Sequence, residues 1–161
     1  PFYLKAAFGI FSNALTDLQA GRVPLEKLVV TSRVSHELES YRSPTPGARA
    51  AFQLLEQTGK RVRPGQKVRF LYIRGEVDVR PWDLPGRIDA ADVDRVKYVE
   101  LMARAAASIL HPFGINDEQL KHWAHTQSIA LDLGCDRKVS YVRTVYDHAR
   151  AGGVTRAVEF G

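Results

Sequence analysis

Residues 59–75 read GKRVRPGQKVRFLYIRG, and the fold turns on how this stretch is parsed. Six cations stand in it with no acid among them: Lys60, Arg61, Arg63, Lys67, Arg69 and Arg74. Arg63-Pro64-Gly65-Gln66 is a turn signature, because proline suits the second position and glycine the third, where φ is positive in a type II turn. The residues after it alternate. Val68, Phe70 and Tyr72 point one way, and Arg69, Leu71 and Ile73 the other, which is the period of a strand. Gly75 breaks it. The stretch therefore reads as a half-buried strand fed by a basic turn.

Upstream, Pro44 and Pro46 force an extended approach to a helix, with Thr45 as N-cap and Pro46 at the first helical position. Ala48, Ala51, Phe52 and Leu55 share one face of it, and Gly59 ends it. Before that helix, LEKLVVTSRV (25–34) reads as a short strand around the apolar run Leu28, Val29, Val30. Leu4, Phe8, Phe11, Leu15 and Leu18 recur at helical spacing and mark a first helix, stopped by Gly21 and Pro24. Downstream, residues 76–91 read as irregular, with Trp82 as an anchor. Val96, Val99, Met102, Ala103, Ala106, Ile109 and Leu110 predict a long helix with Asp92 as its cap, closed by His111-Pro112-Phe113-Gly114. Asn116 and Gln119 form a capping-box pattern that opens another helix, and Val139, Val142, Tyr146 and Ala149 mark a last one. The expected class is α+β, helix-rich, with a small antiparallel β element. The expected divisions are a lead-in helix over 1–20, a domain over 21–115 and a helical extension over 116–161.

The 161 residues, 45% of them hydrophobic, suffice for a packed core. The net charge of +5 is unevenly spread: residues 22–80 hold 12 Lys/Arg against 6 Asp/Glu, and the rest hold 11 against 12. The whole excess lies in one stretch, as an electrostatic footprint for an anionic partner would, although a solvated basic face has the same composition. A single cysteine, Cys135, excludes an intrachain disulfide and a cysteine metal site and fits a reducing, intracellular setting. Asp17 within the amphipathic first segment argues against a signal peptide, and no apolar run reaches the length of a membrane span. The chain opens at Pro1, which reads as processing or as a piece of something longer.

Groups for catalysis do not assemble in the sequence. No glycine-rich phosphate loop is present. His122 and His125 stand three apart on a helix, but no third ligand has matching spacing, so they read as surface histidines. Nothing pairs Cys135 with His122, His125 or His148 as nucleophile and base, so it reads as a small core thiol. Asp89, Asp92 and Asp94 have the chemistry of a cation site; an acidic lead into a helix N-terminus explains them more simply. No catalytic residue and no metal ligand is expected.

The order of segments resembles the thumb region of family B DNA polymerases. The matching pieces are Leu28-Val29-Val30-Thr31, Tyr41-Arg42, the helix Ala48 to Gly59, Val62-Arg63-Pro64-Gly65, the strand Val68 to Ile73, and Ile109 to Gly114. The likeness covers about residues 21–115, and residues 1–20 look like the last palm helix. Gly47-Ala48 stands where many members carry His-Val, Lys97-Tyr98 stands in place of a paired Tyr, and 116–161 match no thumb pattern. The resemblance implies a non-catalytic part of a DNA-directed DNA polymerase, a nucleotidyltransferase whose palm aspartates and Mg2+ are not in this chain. Its implied partners are a primer–template duplex and the palm, with no membrane, and its implied setting is cytoplasmic or nucleoid-associated.

A thumb must hold any duplex, so it should grip phosphates rather than read bases. The implied DNA-binding residues are Arg61 and Arg63 at the turn, Lys67 and Arg69 on the strand, and Tyr41 and Arg42 beside the primer strand. Thr31 and Ser32 at a strand end complete the set with Arg49, which lies in the first helical turn where backbone amides favour anions. The alternative is a stand-alone nucleic-acid-binding or adaptor protein, with Tyr141, Val142, Val145 and Tyr146 as a docking face in the extension.

Overall fold

The computed structural model describes residues 2–126, 128–132, 138–142 and 159–160. In chain order the elements are α1 (Phe2–Gln19), α2 (Leu25–Leu28), β1 (Val30–Arg33), a 3-10 turn (Leu38–Ser40), α3 (Pro46–Thr58), β2 (Lys67–Tyr72) and β3 (Val79–Pro81). There follow α4 (Arg95–Leu110), α5 (Asp117–Thr126), β4 (Ser128–Asp132), β5 (Lys138–Val142) and β6 (Glu159–Phe160), with short 3-10 turns before and after α4. The α+β class, helix-rich with a small antiparallel sheet, is what the sequence led us to expect. No helix among the described residues is long and apolar enough to cross a membrane.

The chain divides into two compact units, one of Pro1–Arg22 with Val96–Gly161 and one of Val23–Arg95. This differs from the divisions expected at 20/21 and 115/116. The cause is α4, whose Ala103 and Leu110 join one buried cluster with Phe8, Phe11 and Leu15 of α1 and with Ile115, Leu120, Trp123 and Ala124. Trp123 is fully buried and meets Phe8 edge-on at 6.1 Å and Phe11 at 5.4 Å, geometries that aromatic quadrupoles favour. Val96 and Ile109, expected on the buried face of α4, are instead exposed.

The helical extension expected over 116–161 needs correction. Asn116 and Gln119 do cap α5 reciprocally, each backbone N–H donating to the other's side-chain oxygen at 2.8 Å. Beyond it, however, β4 pairs antiparallel with β5, and β5 with β6. The helix expected from Val139 is strand over 138–142. Valine and tyrosine suit a pleated surface, and a short apolar series three or four apart does not separate helix from strand. Cys135, Val145, Tyr146, His148 and Ala149 lie outside the described residues.

Within Val23–Arg95 the sheet runs β1-β2-β3, antiparallel throughout. The strand expected over 25–34 begins only at Val30, because Pro24 starts a helical turn in which Lys27 N–H donates to its carbonyl at 3.0 Å. Helix α3 starts at the expected cap: Thr45 Oγ1 accepts from Ala48 N–H at 3.3 Å, and Gly59 ends the helix at φ 70°. Its buried stripe is Gly47, Ala48, Ala50, Ala51 and Leu54, slightly rotated from expectation, with Phe52 and Leu55 half-buried. Small residues let α3 sit close on the sheet. At Gly47 a Cβ would stand 2.8 Å from Ser32 Oγ and 3.5 Å from Val68 Cγ1, so β1 and β2 lie directly under the first helical turn. Strand β3 falls inside the stretch expected to be irregular. Trp82 N–H extends its pairing by donating to Arg69 O at 2.9 Å.

Candidate nucleic-acid interface

The register of β1 against β2 places Thr31 opposite Arg69 and Arg33 opposite Lys67. Opposed residues in an antiparallel pair share a face, and so do residues two apart. These four exposed side chains therefore occupy the sheet face away from α3, while Ser32, Val68 and Phe70 occupy the face toward it. The expected turn lies at the same end of the sheet. Gln66 N–H donates to Arg63 O at 3.0 Å, Gly65 has φ 85°, and Gln66 Oε1 accepts from Arg63 N–H at 2.8 Å. Val34 ties this turn to the exit of β1, donating to Gln66 O at 2.9 Å and accepting from Gly65 N–H at 2.7 Å.

Arg33 and Lys67 thus face each other across the ladder, and neither has an ion-pair partner among the described residues. Like charges directly opposite destabilise a strand pair by some tenths of a kcal/mol, up to about 1. An anion bridging them would relieve that repulsion. Arg63 and Arg42 are also exposed without an ion pair among the described residues.

The remaining expected residues are differently placed. Arg61 donates to Glu39 Oε1 at 2.6 Å and lies 3.9 Å from Glu37 Oε2. That hydrogen bond holds the Glu39 carboxyl below the usual carboxylate range and raises the guanidinium. Arg69 pairs with Asp83. Arg49 is held by both oxygens of Asp78 at 2.9 and 2.7 Å and by Pro44 O at 2.7 Å, which fastens α3 to the chain entering β3. Tyr41 Oη accepts from the N–H groups of Ser35 and His36 at 3.0 and 3.2 Å, which closes the loop after β1 and leaves the phenol proton to donate. The structure therefore brings Thr31, Arg63, Lys67 and Arg69 to one end and face of the sheet, and places Ser32 and Arg49 elsewhere. Arg33 was missed by sequence reasoning. Its signal was the strand alternation itself, since it stands two residues beyond Thr31.

Among the described residues, no group of three or more His, Cys, Asp or Glu converges as a metal site. Asp89 instead accepts from Ala91 N–H at 2.9 Å, capping the 3-10 turn before α4. The groove lined by Leu25, Arg87, Ile88, Asp89 and Ala90 presents no thiol, hydroxyl or imidazole.

No protein-family model matches the chain. It is 29% identical over 126 residues to DNA polymerase 2 of Aeropyrum pernix, an alignment that takes in 75% of this chain and 15% of that protein. It is 23% identical over 139 residues to DNA polymerase 3 of Saccharolobus solfataricus, covering 84% of this chain and 18% of the relative. With the DNA polymerase of Desulfurococcus sp. strain Tok the identity is 28% over 123 residues, 74% of this chain and 16% of the relative. The fold is similar to that of the family B DNA polymerase of Pyrobaculum calidifontis, with a TM-score of 0.55 and 25% identity over 66% of this chain and 14% of that one. The chain thus spans less than a fifth of the length of each of these proteins. It is a region related to DNA polymerases, and the resemblance to family B carried by its ordered motifs holds.

Proposed function

We propose that Val23–Arg95 is a duplex-holding thumb element of a family B DNA-directed DNA polymerase, gripping the phosphate backbone without regard to sequence. The observation that carries this is the uncompensated Arg33–Lys67 pair on the outer face of the β1–β2 ladder, with Arg63 on the turn beside it. The strands and the hydrogen-bonded turn fix the backbone positions of these cations, so only side-chain order is lost when phosphates engage them. Arg42, next to the Tyr41-closed loop, adds a fourth. Contacts of this kind position a duplex and carry no sequence information. Nucleotidyl transfer, the palm and its Mg2+ belong, on this reading, to parts of the polymerase outside these residues.

The test is fluorescence-anisotropy binding of the chain to primer–template duplexes of unrelated sequence over a salt series. Four phosphate-directed cations give a slope of log K against log salt of about −3.6. Arg33→Ala/Lys67→Ala should make it shallower by about two and weaken all sequences alike. Absence of binding at low salt, or an unchanged slope in that variant, would reject the proposal.

A further inference from the structure

The cations of this surface fall into two kinds. Arg33, Arg42, Arg63 and Lys67 carry no ion pair among the described residues, whereas Arg61, in the same basic stretch, faces two carboxylates. Those carboxylates are anchored. Leu38, between Glu37 and Glu39, is fully buried. The turn around it is fixed by Ser40 N–H to Glu37 O at 3.0 Å and Tyr41 N–H to Leu38 O at 3.3 Å. Tyr41 Oη holds the loop from the other side through Ser35 and His36. Glu37 and Glu39 are thus presented toward Arg61 by a rigid element, while all three side chains remain exposed to solvent.

Arg49 shows the contrast. It is gripped by both oxygens of one carboxylate and by a main-chain carbonyl, it is only partly exposed, and it links α3 to the lead into β3. Removing Arg49 from Asp78 would loosen that link. Arg61 ties the 3-10 turn at 38–40 to the connection between α3 and the turn at 63–66, but through side chains that are all exposed. An ion pair so exposed adds little to stability, so its carboxylates can be exchanged for another anion at small structural cost.

We propose that Glu37 and Glu39 are built-in counterions that hold Arg61 in reserve, so that a duplex phosphate takes the guanidinium only by displacing them. This rests on the reading of the surface as a phosphate grip. It adds that the grip is deliberately weakened at one site. Each engagement of Arg61 swaps one anion for another, and the contact is cheap to release when a duplex must slide along the surface. Neutralising the two acids should turn Arg61 into an ordinary phosphate-binding cation.

The experiment compares the intact chain with Glu37→Gln/Glu39→Gln in the same anisotropy assay over a salt series. Glu26→Gln/Glu76→Gln serves as a charge-matched control, since those exposed acids lie away from the Arg33–Lys67 end of the sheet. One further effective cation steepens the salt slope by about 0.9, which is about eightfold tighter binding at 0.1 M salt relative to 1 M. That gain should exceed the control's and should vanish when Arg61→Gln is added to Glu37→Gln/Glu39→Gln. A gain no larger than the control's, or one that survives Arg61→Gln, overturns the counterion proposal while leaving the phosphate grip intact. Failure of the unmodified chain to bind duplex at low salt rejects both.

Discussion

Replacing Gly47 with alanine tests the packing that positions the whole basic surface. Gly47 occupies the first turn of α3, and an added Cβ would lie 2.8 Å from Ser32 Oγ, 2.9 Å from Ser32 Cβ and 3.5 Å from Val68 Cγ1. The hydroxyl can rotate away. Ser32 Cβ cannot, because it is fixed to a strand whose partner is β2 through the Ser32–Val68 register. Relief needs α3 to lift from the sheet or β1 to shift, an overpacking cost of about 1–3 kcal/mol. Alanine gains up to about 1 kcal/mol over glycine in a helix, so the net expected loss lies between about zero and about 3 kcal/mol. Ser32→Gly removes both offending atoms. The double variant should therefore be more stable than the sum of the single effects, by at least about 1 kcal/mol of coupling. Hydrogen exchange of peptides spanning 30–34 and 67–72 reads this unit alone, as the free energy of opening its sheet. Strictly additive effects of Gly47→Ala and Ser32→Gly would refute the close approach of α3 to β1.

Two further outcomes follow from the local chemistry. Thr45→Ala should cost about 1 kcal/mol, read in the same peptides, because it orphans the Ala48 N–H, and Thr45→Asp should restore most of it. The Glu39 carboxyl, followed by NMR, should titrate below its ordinary value of 4.5 and rise in Arg61→Gln, which removes the largest cause of the depression. Its folded value is depressed, so the contribution of the ion pair is fully present above the unfolded value, near neutrality included, and is lost as pH falls through the folded one.

Elements bounded by local chemistry were legible. Thr45 and Pro46 start α3 and Gly59 stops it, Pro64-Gly65 turns the chain into β2, and Asn116 with Gln119 opens α5. Each is decided by a few neighbouring residues. What escaped depends on distant partners. Arg61 meets Glu39 across 22 positions, Arg69 meets Asp83 across 14 and Arg49 meets Asp78 across 29. No periodicity reveals which cations will be neutralised in this way. Arg33 escaped for a related reason, since its place opposite Lys67 follows from the ladder register and not from either strand alone. The boundary near 95 was hidden because α4 takes its core partners from α1, at the far end of the sequence. The β4–β5 pairing was hidden because short runs such as Lys138–Val142 serve either period.

The shape of the Val23–Arg95 unit bears on whether the proposed grip would discriminate among sequences. Reading base edges in the major groove needs an element slim enough to enter it, commonly a helix presenting free polar side chains. Helix α3 is the only long helix of the unit, and one of its faces is buried against the sheet. On its flank Arg49 is spent on Asp78, and Gln53 donates to Val79 O at 2.9 Å. The exposed Glu56 further along would repel a phosphate backbone. On the proposed reading, what remains for a duplex is the outer face of a short ladder and the turn that feeds it, with cationic side chains carried at strand spacing. Such a surface lies, on that reading, along the backbone and not in a groove, so guanidinium groups that could otherwise bond a guanine edge meet only the charge and spacing of phosphates. On this reasoning the spread of affinities across unrelated duplexes should stay under the factor of about 5 to 150 that one mismatched base contact, at about 1–3 kcal/mol, imposes on a sequence-reading protein.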